Sequence, residues 1–280
     1  MNNFLPGLYI VSTPIGNLED ITLRALKVLK NSNKILCEDT RRSLKLLNHY
    51  NIKKKLFSHH KFNEKKTTSA VIESIKKGEV VSLISDAGTP IISDPGLILL
   101  KECIEEKIKV FPIPGVSAVT TAISVSGFEE KYFFYGFLPK KDSELEKIAK
   151  ELKNYNFNLV FFIPAIKINF YVKFFKKYFS GRKIFIGKEM TKMHETFYRS
   201  KLDNLNSFKN KMKGELTVVL SKNVEQKTLK KNTFNDQKLA LEINKYLKIY
   251  TLKDVVNLIS EKHKLPKKQV YNLCLKIKND

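Results

Sequence analysis

Cysteine is scarce in this chain, and the spacing of its cysteines excludes several kinds of site. Cys37, Cys103 and Cys274 lie far apart and form no Cys-x-x-Cys pair of the kind that binds zinc or exchanges disulfides. No other cluster has the spacing of metal ligands. We therefore predict no metal site, and three buried thiols that serve as small apolar groups in a reducing cytosol.

Long apolar runs are also missing. No apolar segment approaches the ~20 residues that are needed to cross a bilayer. The N-terminal stretch MNNFLPGLYIV has neither the basic start nor the apolar segment of a signal peptide. These absences predict a cytoplasmic protein with no membrane partner.

Acidic residues are in short supply. The 280 residues include 51 Lys and Arg against 28 Asp and Glu, which gives a formal net charge of +23. A surface this basic favours a polyanionic partner, with nucleic acid as the first candidate. Only five of the 51 basic residues are Arg, and the chain is rich in Asn and Ile. Coding drift also produces such a composition, so the charge is supporting evidence only.

What the chain does contain is a regular alternation of apolar strand-like runs and amphipathic segments. This alternation predicts an α/β protein whose mainly parallel sheet is covered on both faces. The composition becomes aromatic after Gly127, and it becomes polar and Lys-rich from Lys222. We therefore predict an N-terminal α/β domain over residues 1–127, a second α/β domain over 128–221, a basic linker over 222–238 and a helical domain over 239–280.

Apolar periodicity places the individual elements. The predicted strands are Leu8–Val11, Lys34–Cys37, Leu56–Ser58, Val80–Ile84, Lys107–Phe111, Tyr132–Leu138, Phe157–Ile163, Lys183–Gly187, Glu195–Tyr198 and Leu216–Leu220. The predicted helices are Asp20–Lys30, Thr67–Lys77, Gly115–Gly127, Asp142–Leu152, Ile168–Phe179, Asp203–Lys211, Leu252–Lys262 and Lys267–Lys278.

The last two predicted helices resemble a helix-turn-helix around the turn Lys264-Leu265-Pro266. Their apolar positions, at Leu252, Val255, Val256 and Ile259 on one helix and Val270, Leu273, Cys274 and Ile277 on the other, have the spacing of one shared seam. A basic helical pair could grip phosphates. The alternative is a small bundle that only packs on the main body or on a partner subunit.

The densest group of turn-forming residues and acids follows the central predicted strand. Seven such residues lie within eleven positions: Asp86, Gly88, Thr89, Pro90, Asp94, Pro95 and Gly96. A simple connection needs neither two acids nor two prolines. In open α/β sheets, ligands bind in the crevice beyond the carboxyl ends of the strands, so this loop predicts the ligand site.

Seven loop motifs occur together in one order. They are STPIGNLEDIT (Ser12 to Thr22), EDTR (Glu38 to Arg41), SDAGTPIISDPG (Ser85 to Gly96), PIPGVSA (Pro112 to Ala118), GFLP (Gly136 to Pro139), KEMTKMHET (Lys188 to Thr196) and KGEL (Lys213 to Leu216). In this order and spacing they resemble the bacterial 16S ribosomal RNA (cytidine-2′-O)-methyltransferase family, a branch of the tetrapyrrole (corrin/porphyrin) methylase superfamily. The resemblance runs from about Leu8 to the C-terminus.

The resemblance implies a two-domain tetrapyrrole-methylase-like α/β fold with a small helix-turn-helix-like C-terminal appendage. It also implies a homodimer that binds S-adenosylmethionine between its domains and 2′-O-methylates a decoding-centre cytidine, C1402, of 16S ribosomal RNA in the small subunit. No G-x-G-x-x-G follows the first strand, as expected for a fold that is not Rossmann-like.

The resemblance also implies roles for particular residues. The residues expected to bind the cofactor are Thr13, Asp86, Gly88, Thr89, Pro90, Ser117, Ala118 and Ile163, the last through the backbone near Phe162 to Pro164. Those expected to bind substrate are Pro14, Gly16, Asn17, Asp94 and Lys188.

One stretch departs from the family. The family usually carries a Phe-Tyr-Glu-Ser-Pro-like stretch followed by His-Arg, whereas this chain has FFIPAIKI from Phe161 to Ile168. The acid and the His-Arg pair are absent. Backbone contacts to the cofactor survive such a change, but any role of those side chains in substrate binding does not.

Methyl transfer to a ribose hydroxyl needs alignment of the reactants, a base, and a cation near the developing alkoxide. Glu38, Asp39 and Glu189 are the candidate bases, and Arg41, Lys188 and Lys192 are the candidate cations. Glu189 and Lys192 rank first because both lie in KEMTK, and Glu38 and Arg41 are the other predicted catalytic residues. The structural alternative for Glu38 and Arg41 is a salt bridge at a strand end.

Two other functions stay open on sequence grounds. A tetrapyrrole methylase acting on a small acceptor would share the cofactor site but has little use for the terminal helices or the charge. A non-catalytic RNA-binding ribosome-assembly factor would explain the charge, but it leaves the SDAGTP and PGVSA loops without a purpose.

Overall fold

A computed structural model describes residues 4–210, 212–223, 239–263 and 265–279. The chain divides into two compact units, Met1–Lys222 and Asn223–Asp280. Most of the predicted basic linker, residues 224–238, lies outside the described residues.

The first sheet is parallel, as predicted. Its strands are β1 (Gly7–Val11), β2 (Lys34–Cys37), β3 (Leu56–Ser58), β4 (Val80–Leu83) and β5 (Val110–Ile113), in the spatial order β3-β2-β4-β1-β5. Every pairing in it is parallel. β4 is buried along its whole length, which explains its apolar residues, and the hydroxyl of its one polar residue, Ser82, lies 2.7 Å from the Ser32 hydroxyl. The loops that follow β1, β2 and β4 therefore leave the same edge of the sheet.

The second sheet contradicts the expectation of a mainly parallel arrangement. It contains β6 (Tyr132–Phe137), β7 (Asn158–Pro164), β8 (Lys183–Lys188), β9 (Thr196–Lys201) and β10 (Glu215–Leu220), in the order β6-β7-β10-β8-β9. Only β6 and β7 pair in parallel, and the other pairings are antiparallel. The reason is local, because β8 and β9 are joined by a short loop rather than by a helix. The predicted domain boundary at residue 127, inside the Met1–Lys222 unit, stays a prediction.

Helices cover both sheets. They are α1 (Leu23–Asn31), α2 (Thr40–His49), α3 (Glu64–Lys76), α4 (Leu97–Glu105), α5 (Ala118–Ser126), α6 (Asp142–Leu152) and α7 (Ile168–Phe179). Capping side chains fix several starts. Thr22 accepts a hydrogen bond from the Ala25 N–H at the start of α1, and Asp39 accepts one from the Arg41 N–H at the start of α2.

In the Met1–Lys222 unit, two helices were not predicted and one predicted helix is wrong. Neither α2 nor α4 was predicted, because the EDTR and SDAGTPIISDPG motifs at their starts have the composition of loops. The predicted helix Asp203–Lys211 is wrong over its described part, where a single 3-10 turn (Leu202–Asn204) is followed by irregular chain. Asp203 uses its carboxylate to accept a hydrogen bond from the Gly181 N–H, which is the kind of side-chain contact that competes with helix formation.

The C-terminal unit is a bundle of helices. A helix over residues 239–247, α8, precedes α9 (Leu252–His263) and α10 (Lys267–Asn279). The predicted seam between α9 and α10 is confirmed, since its eight residues all belong to one apolar cluster. The helix α8 was not predicted, and it adds Leu239 and Ile243 to this cluster.

The cysteines and the length of the apolar helices were also predicted. All three cysteines are free and buried, as predicted. Among the described residues, no helix is both long and apolar enough to span a membrane.

Candidate active site

Three loops meet beyond the carboxyl edge of the first sheet. The backbones of Thr13 and Gly88 exchange two hydrogen bonds, of 2.9 and 3.0 Å. Thr89 donates to the Val116 carbonyl at 3.2 Å and accepts from the Ser12 hydroxyl. These contacts join the loop after β1, the loop after β4 and the segment before α5. The loops to which the resemblance assigns cofactor and substrate binding are therefore in direct contact.

Glycine is required at the centre of this junction. Gly88 has φ +79°, a left-handed conformation that side chains rarely adopt. A Cβ there would lie 3.3 Å from the Ile15 side chain and 3.6 Å from the Val116 carbonyl. The backbone of one loop thus passes closely between the other two.

Asp86 braces this region. One of its carboxylate oxygens accepts a hydrogen bond from the Asp39 N–H at 3.1 Å, and the other lies 3.3 Å from the Arg42 guanidinium. Both partners belong to the loop after β2 and the start of α2. Asp86 therefore braces the loops after β2 and β4, and its predicted contact with the cofactor stays a prediction.

The salt bridge between Glu38 and Arg41, which was the structural alternative to a catalytic role, is not present. Arg41 instead donates to Asp39 from Nε at 3.0 Å and from Nη2 at 2.7 Å. These hydrogen bonds, with that from the Arg41 backbone N–H, hold the pKa of Asp39 well below its usual range. Asp39 is therefore an ionised helix cap and a poor proton acceptor. Glu38 is left without this cation, and partial burial, then the charge of Asp86, raise its pKa.

Asp94 is an acid in these loops whose pKa is shifted in the opposite direction to that of Asp39. Burial raises the pKa of Asp94 to about 6, and the charge of Glu38 adds to the shift. Asp86 and Glu215 contribute smaller repulsions. Because Glu215 begins β10, Asp94 lies between the first sheet and the second. Its neighbour Ser93 confirms this placement, since a Cβ on Gly136 of β6 would lie 2.8 Å from the Ser93 hydroxyl.

The loop after β1 also contacts the second sheet. The Asn17 N–H donates to the Thr191 hydroxyl at 3.0 Å. A Cβ on Gly16 would lie 2.8 Å from the Met190 carbonyl, 2.7 Å from the Thr191 hydroxyl and 2.5 Å from Cγ of Lys192. The structure thus brings together the STPIGN and KEMTK motifs, which are more than 170 residues apart in the chain.

Glu189 and Lys192 form an ion pair at 3.7 Å within the KEMTK loop. The Lys192 N–H also donates to the Glu189 carbonyl. The sequence placed these two residues together, and the structure agrees. The carboxylate of Glu189 is thus held beside a cation, whereas the charged groups that act on Asp94 are other acids.

Backbone strain concentrates in the loop after β4 and in the KEMTK loop after β8. Six non-glycine residues among the described ones have positive φ, and four of them lie here: Ile91, Ser93, Glu189 and Thr191. Positive φ is most costly for β-branched residues such as Ile91 and Thr191. Such strain is typical of functional sites, where the surrounding structure imposes it. The sequence does not predict this strain, because neither Ile nor Thr is typical of a left-handed backbone.

The start of α5 is open to a ligand. Ser117 is its N-cap residue but makes no side-chain capping bond. The first N–H groups of a helix have no partner within the helix, so this end suits an acceptor or anionic group. The start of α4 differs, because the Glu64 carboxylate already accepts hydrogen bonds from the N–H groups of Gly96, Ile98 and Leu99.

An apolar wall from the second sheet faces these loops. Phe162 packs with Ile15, Ala118 and Phe134 in one cluster. The ring of Phe137, which is exposed, lies 5.4 Å from that of Phe162. The adjacent Ile163 points the other way and is completely buried in the core of the second sheet. Its predicted cofactor contact, which concerned the backbone, stays a prediction, and Phe162 is the side chain available on this face.

The remaining predicted residues lie in the same loops. Thr13, Pro14 and Pro90 are buried, Asn17 is exposed, and Gly16, Ser117, Ala118 and Lys188 are half-buried. The Thr13 hydroxyl donates to the Ser85 carbonyl, so its side chain connects the loop after β1 to the loop after β4. No group of His, Cys, Asp and Glu in the part of the chain that is described could hold a metal ion.

Comparison with known proteins decides the family. Residues 7–206 match the family model described as Tetrapyrrole (Corrin/Porphyrin) Methylases. A ribosomal RNA small subunit methyltransferase I from Thermotoga maritima is 46% identical over 76% of this chain and 97% of its own length. The protein of that name from Buchnera aphidicola is 38% identical over 99% of both chains. The chain belongs to the ribosomal RNA small subunit methyltransferase I family.

A solved structure supports the same fold for this methyltransferase. Uroporphyrin-III C-methyl transferase from Thermus thermophilus, complexed with S-adenyl homocysteine, matches with a TM-score of 0.56 and 14% identity. The match covers 79% of this chain and 99% of that one. The family and the fold class expected from the loop motifs are confirmed, and the protein is an enzyme.

The contact between the two motif loops gives a first prediction for this methyltransferase. Replacing Gly16 by Ala should lower kcat/KM for methyl transfer by roughly 100-fold, because displacement of a site loop by about 1 Å has this effect. The added methyl group must displace the Met190 carbonyl, which belongs to the backbone and cannot rotate away. Steady-state kinetics on a methyl-accepting substrate would measure the change.

Gly78→Ala is the matched control for Gly16→Ala. Gly78 has φ +94° and no atom within 4 Å of the added Cβ, so this variant carries backbone strain but touches neither loop. Equal losses of activity in the two variants, at equal melting temperatures, would contradict the importance of the loop contact.

Proposed function

We propose that this chain transfers a methyl group from S-adenosylmethionine to the ribose 2′-oxygen of a decoding-centre cytidine, C1402, of 16S ribosomal RNA. The substrate is the small ribosomal subunit or its RNA, in the cytoplasm, and the active form is a homodimer. The single observation that carries this proposal is the likeness over whole chain lengths to proteins named for methylation of small-subunit ribosomal RNA.

The residues present fit S-adenosylmethionine. The uncapped start of α5 offers N–H groups to acceptor atoms of the ligand. The half-exposed rings of Phe134 and Phe162 offer an apolar surface. Gly88 lets the loop after β4 pass closely between the loop after β1 and the segment before α5, which holds these two parts of the site together. When bound, the cofactor supplies a methyl group on a positively charged sulfur, and transfer forms a carbon–oxygen bond as the carbon–sulfur bond breaks.

The ribose hydroxyl must lose its proton during this transfer, and Asp94 is the residue best suited to accept it. A carboxyl group with a pKa of about 6 is ionised at neutral pH and yet accepts a proton more readily than an ordinary aspartate. Glu38 repels the charge of Asp94 and so maintains this property. Glu189, which ranks first among the candidate bases on sequence grounds, is instead paired with Lys192.

The two alternatives raised by the sequence have weaker support. A small tetrapyrrole acceptor leaves the +23 net charge and the terminal bundle unexplained. A non-catalytic assembly factor leaves the strained loops and the perturbed Asp94 unexplained.

The deciding experiment is methyl transfer from labelled S-adenosylmethionine to small subunits that lack the modification, followed by mass analysis of the RNA fragments. We expect incorporation at one ribose 2′-oxygen. Labelling of a base instead would contradict the reaction type. If the cofactor binds but neither subunits nor RNA are labelled, the RNA assignment fails and tetrapyrrole acceptors become the substrates to test.

A further inference from the structure

The loop between β3 and α3 presents an aromatic side chain to solvent. Phe62 is 95% exposed, more than any other large apolar residue among those described. The loop leaves the carboxyl end of β3, which neighbours β2 in the sheet. Glu38 follows β2, and the charge of His60 acts on its carboxyl group. Phe62 therefore lies on the rim of the candidate active site.

The loop that carries Phe62 is braced by hydrogen bonds along its length. Asn63 accepts from the His60 N–H at 2.8 Å and donates to the Ser58 carbonyl at 3.1 Å. The Phe62 N–H itself donates to Nδ1 of His60 at 3.2 Å. The buried His59 ring lies 2.8 Å from the Thr67 hydroxyl. The exposure of Phe62 is therefore a property of a structured turn.

Glu64 connects this turn to the site. It is buried at the start of α3, and its carboxylate accepts the N–H groups of Gly96, Ile98 and Leu99. Gly96 lies two residues after Asp94. A ligand held on the turn is thus held at a fixed distance from the proposed proton acceptor.

The charges around Phe62 select the kind of ligand. Lys61, Lys65 and Lys66 are all exposed, and the single acid between residues 59 and 66 is the buried Glu64. An exposed ring surrounded by cations matches the combination with which proteins hold single-stranded nucleic acid, where bases stack on aromatic side chains and lysines contact phosphates. A protein partner with an apolar contact would not need three lysines at the same place.

We propose that Phe62 is a stacking platform for an unpaired base of the RNA substrate, flanked by phosphate contacts from Lys61, Lys65 and Lys66. This inference rests on the proposed function and deepens it, since it requires a substrate whose bases are unstacked near the target ribose. Single-stranded loops are the form in which RNA bases become available for such stacking.

The test uses the full chain, with Phe62→Ala and Phe62→Trp as the variants and Leu23→Ala as the control. Leu23 is also largely exposed, at 78%, but it belongs to a different element, the start of α1. The probe is a fluorescently labelled single-stranded RNA of the decoding-centre sequence, and its base-paired duplex serves as the comparison. Anisotropy gives the Kd for RNA, and calorimetry gives the Kd for S-adenosylmethionine.

We expect Phe62→Ala to weaken binding of the single strand roughly 10-fold, because one base stack contributes about that much to affinity. Phe62→Trp should retain the affinity, and Leu23→Ala should not change it. The Kd for S-adenosylmethionine and the salt dependence should be unchanged in Phe62→Ala. Replacing the three lysines by Gln should instead reduce the slope of log Kd against log salt by about two to three.

Two outcomes would overturn the proposal. One is an unchanged Kd for the single strand in Phe62→Ala. The other is a change in oligomeric mass in this variant, which would assign Phe62 to a contact with a second copy of the chain. If Phe62→Ala loses RNA affinity while no form of the protein transfers methyl groups, the stacking site stands and the proposed reaction fails.

Discussion

Replacement of Asp94 by Asn is expected to lower kcat for methyl transfer by roughly 10²–10⁴-fold, the range that positioned acid–base groups contribute. The amide keeps the shape of the carboxylate but cannot accept the proton of the ribose hydroxyl. Binding of S-adenosylmethionine should change little. Single-turnover kinetics with saturating cofactor would measure the effect, with Asp142→Asn, an exposed acid at the start of α6, as the matched control.

The pH dependence gives this prediction a second readout. The wild-type rate should rise with pH through an apparent pKa near 6, because Asp94 must be ionised to accept a proton. This rise should be absent in Asp94→Asn. A normal rate in the variant, or an unchanged pH profile, would exclude Asp94 as the base and return attention to Glu38 and Glu189.

Stability should change in the opposite direction to activity. The pKa of Asp94 is higher in the folded protein than in the unfolded chain, so the folded protein binds more protons between about pH 4 and pH 6. Asp94 therefore adds to the free energy of unfolding while it is protonated, and this stabilisation is lost as the pH rises through this window. Asp94→Asn should be more stable than wild type at pH 8 and no more stable at pH 4, as denaturant titrations would show. A gain in stability with a loss of activity is the usual relation at a functional acid.

The first sheet was largely predictable because its inner strands, β1, β2 and β4, are almost entirely buried. Val80, Val81, Leu83 and Ile84 form an apolar run that is interrupted only by the buried Ser82, and such a run is typical of a buried strand. The general alternation of strands and helices predicted the parallel pairing, although α2 and α4 were not among the predicted helices. The second sheet was less predictable. Its strands also read as apolar runs, but antiparallel pairing depends on connections such as the loop between β8 and β9, whose length does not by itself give the strand order.

The loops of the site were predictable, but the roles of their residues were not. Motif order brought Gly16 and Lys192 to the same site, and the structure places them in contact. The sequence could not show that Arg41 pairs with Asp39 and not with Glu38, because either acid can reach that cation from the same loop. Nor could it show the raised pKa of Asp94, which depends on burial and on Glu38, 56 residues earlier in the chain.

Arg182 is the residue whose replacement should most reduce stability. It is 1% exposed, and its guanidinium donates to four backbone carbonyls: Lys153, Tyr155, Phe157 and Ser221. Burial lowers the pKa of Arg182 to about 10, so it remains charged at neutral pH. The fork of donors connects the segment between α6 and β7 to the end of β10, which no shorter side chain can do.

Arg182→Met should therefore destabilise the protein by about 3–5 kcal/mol, because four carbonyls lose a charged donor in the protein interior. The melting temperature of the Met1–Lys222 unit should fall by about 10 °C. Arg182→Lys should recover only part of this loss, since an ammonium group reaches fewer of the four carbonyls. Arg24→Met, the same change at an exposed position, is the control. If Arg182→Met melted like Arg24→Met, water would have to replace the guanidinium at all four carbonyls, and the carbonyl contacts would contribute no net stability.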